Sequence, residues 1–138
     1  MHNLLEFHVK GNPIPKGRPR VINRKAYTPK RTRAYENIVG WIAKFAMKNR
    51  QPFDQPLIVT MSFTIDIPPR WSQLKKKSAE EGLLWPKRHD VDNLAKSILD
   101  ACNGIVFEDD GQVCELHICK QYGKIPGCHG QVMNCAAT

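Results

Sequence analysis

Asp90 and Asp92 stand two residues apart in Lys87-Arg88-His89-Asp90-Val91-Asp92-Asn93-Leu94-Ala95-Lys96, where a loop gives way to a periodic apolar stretch. In extended backbone, residues i and i+2 point to one side, so the two carboxylates take one face. Lys96 follows Asp92 by four residues and Asp100 follows Lys96 by four, which makes them one polar stripe once a helix begins. Asp109 and Asp110 lie past that helix beside Gly111, a turn signal. From there the chain can return them to the helix start. Converging carboxylates raise one another's pKa unless a cation neutralises them. Mg²⁺ takes one or two carboxylates together with water and phosphate oxygens. An ion held so polarises a phosphoryl oxygen, activates a water and stabilises the leaving oxygen. Lys96 would meet the phosphate charge. The same residues also have plain structural uses: Asp90 or Asp92 as an N-cap, Asp109-Asp110-Gly111 as a turn, Asp92–Lys96 as an i,i+4 pair.

Cations surround these acids unevenly. Residues 1–34 carry nine basic side chains and one acid, Glu6, a net +8. The whole chain holds 21 Lys+Arg against 13 Asp+Glu, also +8, so the remainder is balanced. A second basic cluster comprises Arg70, Lys75, Lys76, Lys77, Lys87 and Arg88, while residues 104–119 contain acids and no Lys or Arg. Such segregation points to a polyanionic partner gripped through its phosphates. The expected phosphate contacts are Lys16, Arg18, Arg20, Arg24, Lys25, Lys30, Arg31, Lys87 and Arg88. Pro13, Pro15, Pro19 and Pro29, with Gly11 and Gly17, make the basic arm at about 11–33 a loop.

The elements that must position these groups follow from periodicity. Leu4–Val9 reads as a first strand, and Lys25–Thr28 as a short one. Thr32 is the expected N-cap of a helix reaching about Lys48, with Ala34, Ile38, Trp41, Ile42, Phe45 and Ala46 as its apolar face. Leu57–Ile65 is a core strand, and residues 70–86 a short helix plus loop. A second principal helix starts near Asp92, buries Leu94, Ala95, Ile98, Leu99 and Cys102, and stops at Asn103-Gly104. Val113–Tyr122 alternates, with Val113, Cys114, Leu116, Ile118 and Tyr122 as inward residues, and 130–135 adds an edge strand. The sum is one α/β domain over residues 1–138, a mixed sheet with two principal helices. One sheet face stays open, a surface for self-association.

The 138 residues and 15.7 kDa suit one domain. No stretch has the ~20 apolar residues of a membrane span, and the start lacks the pattern of an export signal. Five cysteines, an odd number, argue against a secreted disulfide framework. Cys114-x4-Cys119, with His117 and His129 nearby, is the nearest approach to a zinc pattern, and free thiols in a reducing cytoplasm are the stronger expectation.

Taken together, Asp90-Val91-Asp92-Asn93-Leu94-x-Lys96, Asp100-Ala101, Asn103-Gly104-Ile105 and Asp109-Asp110-x-Gln112-Val113 resemble the RusA-type Holliday junction resolvases. Pro15-Lys16-Gly17-Arg18-Pro19-Arg20 and Tyr27-Thr28-Pro29 are similar to that family's basic loop. The resemblance runs from about residue 5 to 122. It implies a cytoplasmic α/β homodimer, of a bacterium or a phage-infected host, that binds a four-way DNA junction. It implies paired symmetric nicks with Mg²⁺ or Mn²⁺ and 5′-phosphate ends. It makes Asp90, Asp92 and Asp110 the metal ligands and Lys96 the catalytic lysine, with Asp109 beside them. Three features depart from the family: the Asp92–Asp110 gap is one residue shorter than in some members, His89 replaces a proline or basic residue, and the C-terminus is cysteine-rich.

Two other functions use the same residues. A broader structure-selective nuclease would cut flaps or forks with the same site. A non-catalytic DNA-binding module would use the basic arm alone, but no helix reads as a recognition helix.

Overall fold

The computed structural model describes residues 3–135. Its elements in chain order are β1 (Asn3–Lys10), β2 (Arg20–Ile22), β3 (Lys25–Tyr27), α1 (Lys30–Met47), β4 (Leu57–Asp66), α2 (Gln73–Glu80), α3 (Val91–Cys102), β5 (Val113–Gly123) and β6 (Gly127–Asn134). Four strands form one mixed sheet in the order β1-β6-β4-β5, and β2 with β3 forms a separate hairpin. β4 and β5 run parallel, whereas β6 is antiparallel to both β1 and β4. A parallel pair needs a long crossover, and α2 with α3 supplies it. α3 therefore starts where β4 ends and finishes where β5 begins.

Strand alternation sets the core. Leu57, Val59, Met61, Phe63 and Ile65 of β4 are buried with Leu5, Phe7 and Val9 of β1 and with Cys128 and Val132 of β6. Tyr35, Val39, Ala43 and Met47 of α1 and Leu94, Ala95, Ile98 and Cys102 of α3 close over them. Burying each large side chain stabilises the fold by roughly 1.5–3 kcal/mol. Gly130 is required under Phe7, since a Cβ there would lie 2.6 Å from the ring. Among the described residues the other sheet face carries no helix, and it is polar, with Glu6, Thr60, Ser62, Gln121 and His129 among its residues.

Two expectations need correction. The apolar face of α1 is rotated: Tyr35, Val39, Gly40, Ala43 and Met47 are buried, while Ile38, Trp41 and Phe45 are 53%, 72% and 87% exposed. The large residues dominated the periodic signal, but small ones let α1 approach α3. At Gly40, a Cβ would sit 3.6 Å from the Ala101 carbonyl and 3.5 Å from Ile105. The second correction concerns the last strand. β6 lies inside the sheet and β5 forms the edge, which leaves Cys114 and Leu116 exposed rather than inward. α3 and β4 lie where the sequence predicts them.

Candidate functional site

Asp90 is the N-cap residue of α3. Its backbone is extended and its carbonyl accepts the Leu94 N–H at 3.1 Å, but its side chain makes no capping bond. The plain-cap reading thus does not occupy the Asp90 carboxylate. Asp92, in the first turn, is exposed, and its Oδ1 accepts the Asn93 N–H at 2.9 Å. His89, just before, sits in the left-handed region at φ +68°. That conformation costs a non-glycine residue about 1–3 kcal/mol. Lys120 of β5 holds it by donating to the His89 carbonyl at 2.6 Å. Burial first, then the Arg88, Arg31 and Lys120 charges, lower the His89 pKa. The free carboxylates therefore sit in a neighbourhood rich in positive charge.

Lys96 does not pair back to Asp92. Its Nζ lies 3.2 Å from Asp100 Oδ1, one turn ahead. Asp100 also meets Lys16, at 3.0 Å, and Lys16 meets Glu36 at 2.9 Å. Burial opposes charge on Asp100, but hydrogen bonds from Lys16 and Lys96 outweigh it and its pKa is lowered. The same balance runs in reverse at Lys16: burial is outweighed by Glu36 and Asp100, and its pKa is raised. Lys16, expected among the DNA-contacting cations, is thus bound by two carboxylates and pins the arm onto α1 and α3. Thr32 joins it. It is buried, not an N-cap, and its Oγ1 accepts the Gly17 N–H at 3.0 Å. Ser97 completes the seam by donating to the Ile14 carbonyl at 2.9 Å.

The Asp109-Asp110-Gly111-Gln112 turn divides its labour. Asp109 accepts the Gly111 N–H at 2.9 Å and forms a capping box with Gln112. Gln112 donates to the Phe53 and Gln55 carbonyls at 2.8 and 3.0 Å, anchoring the turn. The half-buried Asp110 carboxylate meets no hydrogen-bond donor among the described residues. This turn leads into the start of β5, whereas Lys120, which touches His89, lies seven residues further along it. At ~3.3 Å per residue this is about 23 Å of strand. One chain therefore holds Asp90 and Asp92 at the head of α3 and Asp110 near the opposite end of that helix. Among the described residues the one cluster of three metal-capable side chains is Glu6, His8 and His129, on the open sheet face.

The remaining expected cations are displayed on a protrusion and its base. β2 and β3 pair through Arg20↔Tyr27, Val21↔Ala26 and Ile22↔Lys25. Asn23 and Arg24 turn the chain at φ +51° and +65°, a two-residue hairpin of the kind that needs left-handed positions. Arg18, Arg20, Arg24 and Lys25 are exposed on it. Lys30 and Arg31 occupy the first turn of α1, which holds no acid. Cations there oppose the helix dipole, an arrangement that makes sense beside an anion. Lys87 and Arg88 are exposed ahead of α3, with Arg88 3.6 Å from Asp66. The β2 strand was not legible from the sequence; Asn23 at a hairpin turn was the available signal.

The family model described as "Endodeoxyribonuclease RusA" matches residues 10–132. The uncharacterized protein YqaN of Bacillus subtilis (strain 168) is 32% identical over 129 residues, covering 88% of this chain and 90% of that protein.

Proposed function

The chain belongs to the RusA endodeoxyribonuclease family, and from that premise we propose that it is a Mg²⁺-dependent nuclease that resolves four-way DNA junctions. It makes paired symmetric nicks leaving 5′-phosphates, as a homodimer in the cytoplasm, in DNA recombination and repair. The observation that carries the reading is the pair Asp90 and Asp92, with Asp90 uncapped, set among cations at the head of α3. A hard oxygen-donor set suits Mg²⁺, with Mn²⁺ as a substitute. When bound, the ion lowers the pKa of a water and offsets charge on the leaving oxygen. Asp90 and Asp92 hold it from one chain. Lys96, tethered by Asp100, swings to the phosphate. Arg31, Lys30, Lys87 and Arg88 hold the backbone close to the acids, and Arg18, Arg20, Arg24 and Lys25 grip a DNA arm from the hairpin.

Asp110 reaches the set from a second copy. Its distance from Asp90 along one chain, and the free state of its carboxylate, favour a site completed across a dimer. The Ile38, Trp41 and Phe45 stripe of α1 is the apolar surface for that second copy, since three large exposed apolar residues on one helix face are unusual in a chain this basic. Paired cuts on opposite strands need that twofold symmetry.

The test is cleavage of a synthetic four-way junction, a fork and a duplex, each with Mg²⁺ and with chelator. The reading expects Mg²⁺-dependent paired nicks on the junction, and a large loss of them in Asp90→Asn. Equal cutting of the fork assigns a broader structure-selective nuclease. Salt-sensitive binding with no nicking by the wild-type protein assigns a binding module and overturns the reading.

A further inference from the structure

The open face of the sheet carries a second constellation, on the side away from α3. His8 and His129 are direct partners across the β1–β6 ladder, and Glu6 lies two residues before His8 on the same face. The two imidazoles stack with centroids 4.3 Å apart and planes within 6°. Both Nε2 atoms turn to the same Glu6 oxygen, His129 at 2.6 Å and His8 at 3.8 Å. Donor atoms of the three lie within 4.8 Å of one another. Bonds of about 2.0–2.1 Å to a tetrahedral ion bring ligands to within about 3.4 Å of each other, so small side-chain rotations close the set.

We propose that Glu6, His8 and His129 form a transition-metal site of the Zn²⁺ class, separate from the carboxylate site at the head of α3. Two imidazoles and a carboxylate are a zinc donor set that leaves the fourth coordination position open. The neutral ring nitrogens favour Zn²⁺, Ni²⁺ or Cu²⁺ over Mn²⁺, and Mg²⁺ prefers oxygen alone. The rigid two-strand ladder fixes all three Cα atoms, so little ordering is left to binding. His8 has no hydrogen bond at 3.8 Å and keeps a donor position for the ion. His8 and His129 also border a depression of about 280 Å³ with Lys10, Ser62 and Thr64, which would leave room for water or an anionic fourth ligand.

The test is titration of the intact, metal-stripped protein with Co²⁺ and Zn²⁺. One equivalent of Co²⁺ per chain should bind, with d–d absorption and no thiolate charge-transfer band. His129→Ala and His8→Ala should each weaken Zn²⁺ binding by about a hundredfold or more. Both side chains are partly or fully solvent-exposed, so the variants should keep the wild-type circular dichroism. His8→Gln provides a second variant if one fails to fold. Asp90→Asn should leave Zn²⁺ affinity unchanged whether or not the protein proves to be a nuclease, which separates the two claims. Zn²⁺ affinity indifferent to all three histidine variants, or a thiolate band assigning the ion to Cys114, Cys119 or Cys135, would overturn the site.

Discussion

At the scale of single residues, the DD-x-Q turn is the clearest case of roles divided by geometry. Asp109 and Gln112 fold the turn, and Asp110 is left with a free carboxylate. Asp109→Ala should therefore lower stability by about 0.5–2 kcal/mol, the usual worth of a cap. That loss would appear as a reduced denaturation midpoint. Asp90→Asn and Asp92→Asn should do the opposite: little change in stability, but a roughly 10²–10³-fold loss of Mg²⁺-dependent cleavage as several kcal/mol of transition-state stabilisation disappear. DNA binding by both variants should persist, because neither side chain brings a positive charge to a phosphate. Asp100 has a different dependence on pH. Its lowered pKa means it stabilises the fold above the ordinary value of 3.8, and that contribution is lost as pH falls through the lower folded value. Lys16, with a raised pKa, contributes fully below 10.5 and loses the contribution only above it. The tether between arm and helix is thus intact at neutral pH. Asp100→Asn should cost about 1–3 kcal/mol there, and the gap from wild type should narrow in acid melts. The placement of Asp90, Asp92 and Lys96 along the start of one helix was legible because their spacing is local. The separation of Asp110 was not, since it depends on α3 running back down the sheet between two parallel strands.

Elements differ in how plainly the sequence announces them. α3 is easy to read because Leu94, Ile98 and Cys102 are both apolar and buried, and Gly104 follows at φ +79°. α1 is misleading because its buried stripe mixes Tyr35, Val39 and Met47 with Gly40, Ala43 and Thr32, while Ile38, Trp41 and Phe45 face outward. Periodicity reports apolar size, not which face meets a neighbour. Gly40→Ala tests the packing directly. The added methyl would sit at ordinary van der Waals distances of 3.5–3.6 Å and remove glycine's helix penalty, so thermal unfolding should show a gain of about 0.5–1 kcal/mol. Gly40→Leu should destabilise by overpacking the α1–α3 seam. The β2–β3 hairpin makes few commitments to the core, so Arg24→Ala with Lys25→Ala should leave the melting temperature unchanged. Its effect should fall on DNA: lower affinity, and a slope of log K against log salt shallower by about 0.9 for each phosphate that is no longer neutralised.

The whole molecule joins a basic arm, a mixed sheet and two aspartates at the head of α3, with Asp110 beyond that helix's far end. Its cations are exposed on the hairpin and at the heads of α1 and α3, while Ile38, Trp41 and Phe45, three of its large exposed apolar residues, share one face of α1. Trp41→Glu with Phe45→Glu should yield a folded monomer in sedimentation, with junction cleavage abolished alongside dimerisation. The most direct measurement is complementation between two inactive chains. Asp90→Asn and Asp110→Asn are made separately, then co-expressed, and mixed dimers are assayed on a four-way junction with Mg²⁺. Each variant alone should be inactive, and the mixture should recover nicking, because one of its two sites combines native carboxylates from both chains. No recovery in a mixture that demonstrably contains heterodimers, or full activity from Asp110→Asn alone, would contradict the shared acidic site.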